Sequence, residues 1–264
     1  MSINFTTRVS QGTCAVAVMA KASEPGRTKT RLTPPLASAE AAALNTAFLQ
    51  DIAAKLRRAG DEAPIAPYIA FGPPNSEPFF RSILPDNFEL MEVWRPHFGE
   101  CLWLATSSML AADHASACVL NSDSPTLPTA YLIEAAQVLA RPGDRAVLGP
   151  STDGGYYLLG LKHAHSRMFA DIAWSTERVA EQTRERAREI GLELYELPPW
   201  YDVDDADGLR TVIADLKLSV ARVAGHEAAS CADATAELLV RLDRESGLFR
   251  RLGIEATSPV GVSV

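Results

Sequence analysis

Ala117-Cys118-Val119-Leu120-Asn121-Ser122-Asp123-Ser124-Pro125 is a short apolar run that ends in an acid and a proline. Its four consecutive apolar residues read as a strand covered on both faces. Asp123 then falls at the strand's C-terminal end, the edge where open α/β sheets bind ligands. A carboxylate there is costly to bury unless something cationic meets it. Further along, Leu148-Gly149-Pro150-Ser151-Thr152-Asp153-Gly154-Gly155-Tyr156-Tyr157 repeats the pattern of strand, glycine loop and acid. The pair suggests a site for a metal ion and a phosphorylated ligand.

Outward from this strand the chain alternates strands and helices. Cys14 to Ala20, Ile65 to Phe71, Phe88 to Trp94, Arg145 to Leu148, Tyr156 to Leu161 and Leu192 to Leu197 read as strands. Ser38 to Ala59 (with Ser38 as N-cap), Glu100 to Asp113, Thr129 to Ala140 and Thr176 to Ile190 read as helices. Leu209, Val212, Ile213 and Leu216 keep helical spacing, and a further helix is expected around Asp233 to Arg250. The alternation predicts an α/β fold, a mostly parallel central sheet with helices on both faces. Residues 1–218 form the expected domain, and 219–264 a C-terminal helical extension that either packs on the sheet or makes a homodimer contact.

The 264 residues, 47% hydrophobic and 22% charged, suit one large α/β domain. A net charge of -8 argues against a nucleic-acid partner, because no basic excess exists to neutralise a phosphate backbone. Cys14, Cys101, Cys118 and Cys231 are scattered and read as reduced packing residues. The polar N-terminus lacks the core of a signal peptide, and no apolar run reaches the roughly 20 residues of a membrane span. A cytoplasmic protein without a membrane partner is expected.

Lys21-Ala22-Ser23-Glu24-Pro25-Gly26-Arg27-Thr28-Lys29-Thr30-Arg31-Leu32 puts four cations in the loop that leaves the first strand. Phosphate binding needs such charges with free backbone N–H groups, and Gly26 lets the backbone come close. Two familiar phosphate motifs fail: Thr28 stands where a Walker A loop has glycine before its lysine, and G-x-G-x-x-G is absent. A solvated charged loop is the alternative.

Asp123 could hold a divalent cation such as Mg²⁺, which takes few carboxylates and leaves room for substrate phosphates. It could equally cap a helix starting near Pro125. Asp202, Asp204 and Asp205 carry the same two readings. In extended backbone Asp202 and Asp204 project from one side, so one of them could meet the ion held by Asp123. Asp153-Gly154-Gly155 makes a permissive turn, either for a ligand's approach or as a plain hairpin. Tyr156 and Tyr157 read as core and sheet residues. His163 and His165 lie in a loop, His97, His114 and His226 read as structural, and no G-x-S-x-G elbow supports serine hydrolase chemistry.

Taken in order, the basic loop, Ser122-Asp123-Ser124-Pro125, Gly149-Pro150 with Asp153-Gly154-Gly155-Tyr156-Tyr157, Trp174-Ser175-Thr176 and Asp202-Val203-Asp204 resemble a bacterial glycosyltransferase-like family. That family is similar to the deazaflavin-cofactor guanylyltransferase and belongs to the nucleotide-diphospho-sugar transferase superfamily, with the GT-A fold. The resemblance spans roughly Cys14 to Leu216. It implies a transferase dependent on Mg²⁺ or Mn²⁺, with a nucleotide sugar or nucleoside triphosphate and a small acceptor as partners. Lys21, Gly26, Arg27, Lys29 and Arg31 would match the phosphate loop, with Lys29 and Asp123 catalytic. Asp123, Asp202 and Asp204 would match the metal acids; Asp153, Gly154, Gly155 and Tyr156 would match the acceptor loop. Ser23 replaces the family's usual proline and Asp205 its frequent threonine.

Glycosyl transfer from a nucleotide-diphospho-sugar donor is the first expectation. Nucleotidyl transfer with release of pyrophosphate is the alternative, favoured by the lone acid before Ser124-Pro125 in place of D-x-D. A non-catalytic nucleotide-binding protein is a third. Both enzymatic readings require Asp123 to converge in space on Asp202 or Asp204.

Overall fold

The computed structural model describes residues 12–223 and 232–254. Readings placed on His226, Cys231 and the segments at both chain ends fall outside those residues. The central strand, β1 (Cys14–Lys21), alternates its side chains between two apolar layers. Cys14, Val16, Val18 and Ala20 face one layer, and Ala15, Ala17 and Met19 the other. A strand covered on both faces needs no polar alternation, which is why β1 and β4 (Ser116–Leu120) read as continuous apolar runs.

Five further strands complete the sheet: β2 (Ile65–Gly72), β3 (Glu89–Glu92), β5 (Arg145–Pro150), β6 (Tyr156–Leu161) and β7 (Glu193–Glu196). Their order is β3-β2-β1-β4-β6-β5-β7. All neighbours pair in parallel except β6, which runs antiparallel to both β4 and β5. The expected mostly parallel α/β sheet is therefore present. From β1 the chain steps outward to β2 and β3, then returns to β4 on the other side of β1. That reversal leaves a crevice at the C-terminal ends of β1 and β4, the place where such sheets bind ligands.

Helix α1 (Ser38–Glu62) and α4 (Thr129–Ala140) cover one face, while α3 (Phe98–Ala111) and α5 (Val179–Glu189) cover the other. A short α2 (Glu77–Ile83), absent from the sequence reading, brings Phe80 into the core. Helix α1 is buried on two sides. Leu49, Ile52 and Leu56 face the sheet, whereas Leu44, Ala47 and Phe48 join a third cluster. That cluster includes α6 (Ala206–Val223), α7 (Asp233–Ser246) and α8 (Leu248–Arg251), so the C-terminal helices pack on the back of α1. Asp51 of α1 fixes the junction. Its carboxylate accepts the N–H groups of Ala234 and Thr235, both at 2.9 Å, and the Thr235 hydroxyl at 2.6 Å.

Four local expectations change. Ser38 lies inside α1; its N-cap is Ala37, whose N–H is taken by Glu40 at 2.8 Å. No helix starts near Pro125, since α4 begins at Thr129, and Asp123 is thus not a helix cap. Helix α5 starts at Val179 rather than Thr176. Strand β3 covers only four residues at the sheet edge. Among the described residues no helix is long and apolar enough to cross a membrane.

Candidate functional site

Lys29 leaves the loop after β1 in a left-handed backbone conformation, with φ 52° and ψ 42°. This conformation is strained for a residue with a side chain. The surrounding loop is held by Thr28, whose hydroxyl donates to Ala22 O at 3.0 Å and accepts the Glu24 N–H at 3.1 Å. Lys29 consequently aims inward, and its side chain is only 6% exposed. The ammonium donates to Asp204 Oδ1 at 2.7 Å and to the Val203 carbonyl at 2.9 Å, and it forms an ion pair with Asp123 Oδ1 at 2.8 Å. The Phe48 ring lies 5.4 Å below it. Burial works against the charge, but the two carboxylates outweigh it and hold the Lys29 pKa above the usual lysine value.

The two acid loops are also tied through backbone, Val203 N–H donating to Asp123 O at 2.8 Å. Residues far apart in the chain thus meet at the β1/β4 crevice. Asp202 belongs to the same group. Burial, then the charges of Asp153, Asp204 and Asp123, push its carboxyl up to about 6. Asp205 is different: its Oδ1 accepts the N–H groups of Asp207 at 3.0 Å and Gly208 at 2.9 Å, capping α6. Of the three neighbouring acids, Asp205 starts the helix while Asp202 and Asp204 face a cleft.

That cleft has a volume of about 730 Å³. Lys21, Arg27, Lys29 and Arg31 line it from the β1 loop, and Asp123, Asp153, Gly155, Tyr156, Asp202 and Asp204 from the loops opposite. Gly26 and Gly154 do not line it. Gly154 has φ +91°, and an added Cβ would stand 2.1 Å from the Glu177 carbonyl oxygen. Its lack of a side chain allows the close passage of the chain entering α5. Arg27 pairs with Glu24 at 2.9 Å on the surface.

An aromatic wall, of which the sequence motifs included only Trp174, closes the cleft on the α3 side. Trp94 and Phe98 are 48% and 51% exposed, high for side chains of that size. Trp174 meets Phe98 edge-on at 5.5 Å and Tyr156 edge-on at 6.3 Å. Gly99 makes room for Trp174; a Cβ there would sit 2.5 Å from the indole nitrogen. Asn121 Oδ1, Ser151 Oγ and the Tyr156 hydroxyl are buried without a hydrogen-bond partner, and all three residues line the cleft. Burial raises the Tyr156 pKa well above the phenol value. Trp94 and Phe98, close together after the third strand, were the available signal for this wall; the orphaned polar atoms had none.

Carboxylate oxygens are the hard donors that Mg²⁺ and Mn²⁺ prefer, and Asp123, Asp202 and Asp204 supply them in one place. Among the described residues no three His, Cys, Asp or Glu side chains stand as a ready coordination shell. The Lys29 ammonium bridges two of the three acids instead.

The fold is that of the nucleotide-diphospho-sugar transferase type of α/β protein, which nucleotidyltransferases share. A structure from Desulfovibrio desulfuricans G20, provisionally described as a nucleotide-diphospho-sugar transferase, matches with a TM-score of 0.77 at 27% identity. The match covers 90% of this chain and 97% of that one. A cytidylyltransferase from Leptospira borgpetersenii serovar Hardjo-bovis shares the fold with a TM-score of 0.54 at 9% identity, covering 93% and 99% of the two chains. So does CMP:2-keto-3-deoxy-manno-octonic acid synthetase complexed with CTP, with a TM-score of 0.51 at 13% identity over 78% and 99%. No curated protein matches the chain. Within the class, the chain belongs to the family described as an uncharacterized protein conserved in bacteria (DUF2064), which matches residues 43–176, just over half of its length. That span contains Asp123, Asp153 and Trp174 but neither Lys29 nor Asp202 and Asp204.

Proposed function

We propose that the protein is a metal-dependent transferase of glycosyltransferase type, acting on a nucleotide-diphospho-sugar donor. The observation that carries this reading is the convergence of Lys29, Asp123 and Asp204 at the switch point of the sheet. A protein without such chemistry has little use for carboxylates gathered in a partly buried crevice. This weighs against a non-catalytic nucleotide-binding protein. Similarity to the Desulfovibrio protein supports the choice of donor.

Asp123 with Asp202 and Asp204 would hold Mg²⁺ or Mn²⁺, which supplies charge neutralisation at a departing phosphate oxygen. Lys21, Arg27, Lys29 and Arg31 lie opposite those acids and would take the donor's diphosphate. The turn at Gly26 shapes that loop without reaching the ligand. A small acceptor would enter beside Asp153, Gly155 and Tyr156, where carboxylate and orphaned polar atoms suit hydroxyl groups. Gly154 contributes to this end by letting the chain before α5 pack closely. The free cysteines Cys14, Cys101 and Cys118 fit a reducing, cytoplasmic setting.

One feature favours nucleotidyl transfer as a second reading. Asp123 is followed by Ser124-Pro125, so the strand end that carries it has a lone acid and not the D-x-D pair of sugar transferases. Incubation with labelled nucleotide sugars and nucleoside triphosphates separates the two. Release of nucleoside diphosphate from a nucleotide sugar supports the first; pyrophosphate released from a triphosphate assigns the second and overturns the first.

A further inference from the structure

We propose that Lys29 and a divalent ion are alternative occupants of the position between Asp123 and Asp204, so that binding the ion drives the ammonium out toward the ligand's phosphates. The inference rests on the metal-site reading above and adds a coupling that the reading does not contain.

An ammonium has three N–H donors; Lys29 commits two of them to Asp204 Oδ1 and Val203 O, at 2.7 and 2.9 Å, and its charge is paired with Asp123 Oδ1 at 2.8 Å. So seated, the ammonium is held by the protein's own acids and not by a phosphate. Asp123 Oδ1 also accepts the Ser122 hydroxyl at 2.9 Å, which leaves that oxygen crowded. An ion such as Mg²⁺ coordinated by the same carboxylates would stand about 2.0–2.1 Å from their oxygens, inside the space the ammonium fills. Two cations sharing those oxygens would repel each other strongly in a half-buried crevice.

The lysine can move without dismantling the site. The Asp123 and Val203 loops are joined by their own backbone hydrogen bond at 2.8 Å, and Asp205 independently anchors the chain at α6. The long Lys29 side chain can therefore swing while both acids stay in place. An ammonium released from the carboxylates regains donors for an anionic ligand. Ion binding and phosphate binding then favour each other, a positive coupling between the two ligands. The ion alone must compete with the protein's own cation.

Mn²⁺ binding to wild-type protein and to Lys29→Met, read by loss of the free-ion electron paramagnetic resonance signal, tests this directly. Lys29→Met should bind Mn²⁺ at least about tenfold more tightly, because a neighbouring positive charge is gone. Equal or weaker binding by the variant overturns the inference while leaving the metal site standing. Binding by neither protein overturns both. A second measurement needs no variant: acetylation of Lys29 by acetic anhydride, followed by mass spectrometry, should rise when Mn²⁺ is added to the wild-type protein. Labelling unchanged at saturating Mn²⁺ means that the ammonium stays between the carboxylates, against the proposal.

Discussion

Asp123 touches both halves of the site, its side chain pairing with Lys29 and its carbonyl accepting from Val203. Asp123→Asn keeps the backbone bond and the shape of the side chain but removes the charge. It should lower ion-dependent turnover about 100-fold or more, the scale of losing one electrostatic stabiliser, with an unchanged circular dichroism spectrum; full activity would refute the role. Asp202 makes a different prediction. Its carboxyl ionises near 6 in the folded protein, because of burial and then of neighbouring acids, against 3.8 as the ordinary value. Between those values the folded chain binds more protons than the unfolded one, so this group's contribution makes stability fall as pH rises through that window. In metal-free protein, Asp202→Asn should be more stable than wild type at pH 7.5 by about 1 kcal/mol after solvent screening. Below pH 4 the difference should vanish. Urea denaturation at the two pH values checks both signs.

Among the elements, the junction of α1 with α7 depends on one buried acid. Asp51→Ala would leave the N–H groups of Ala234 and Thr235 unpaired, costing about 2 kcal/mol in urea denaturation. Loss of protection from hydrogen exchange should concentrate in α7. Gly154→Ala should cost about 2 kcal/mol or more, given its φ of +91° and the Glu177 backbone in the way. The fluorescence of Trp174, just upstream, should change with it. These couplings also show what the amino-acid order left hidden. The strands of the central sheet were legible because burial on both faces demands unbroken apolar runs. The cap at Ser38 and the helix near Pro125 were misplaced because Ser and Pro favour helix starts by local chemistry alone, which tertiary packing overrides. The Asp51 bond to residues 234 and 235 joins positions that no local pattern relates.

At the scale of the whole molecule, strand order makes the site. The β1 loop and the acid after β4 become neighbours only because the chain reverses direction across the sheet at β1. Lys29, Asp123 and the Asp202/Asp204 pair were each visible as charged residues at strand ends. That Lys29 would seat itself between two of the acids was not, since it follows from the left-handed turn at Lys29 and from the path of the chain before α6. The aromatic wall escaped notice for a similar reason: Trp94, Phe98 and Trp174 come from three segments that meet only in the folded sheet. The central claim is that this cleft binds a nucleotide diphosphate together with a divalent ion through Asp123. Thermal denaturation of wild type and Asp123→Asn, with Mn²⁺ and a panel of nucleoside phosphates and nucleotide sugars, tests it most directly. At about 100 times its Kd a ligand adds about 2.7 kcal/mol, a rise in Tm of about 5–10 °C. That rise is expected for at least one nucleotide with wild type and not with the variant; no shift with any of them, or equal shifts in both proteins, would refute the claim.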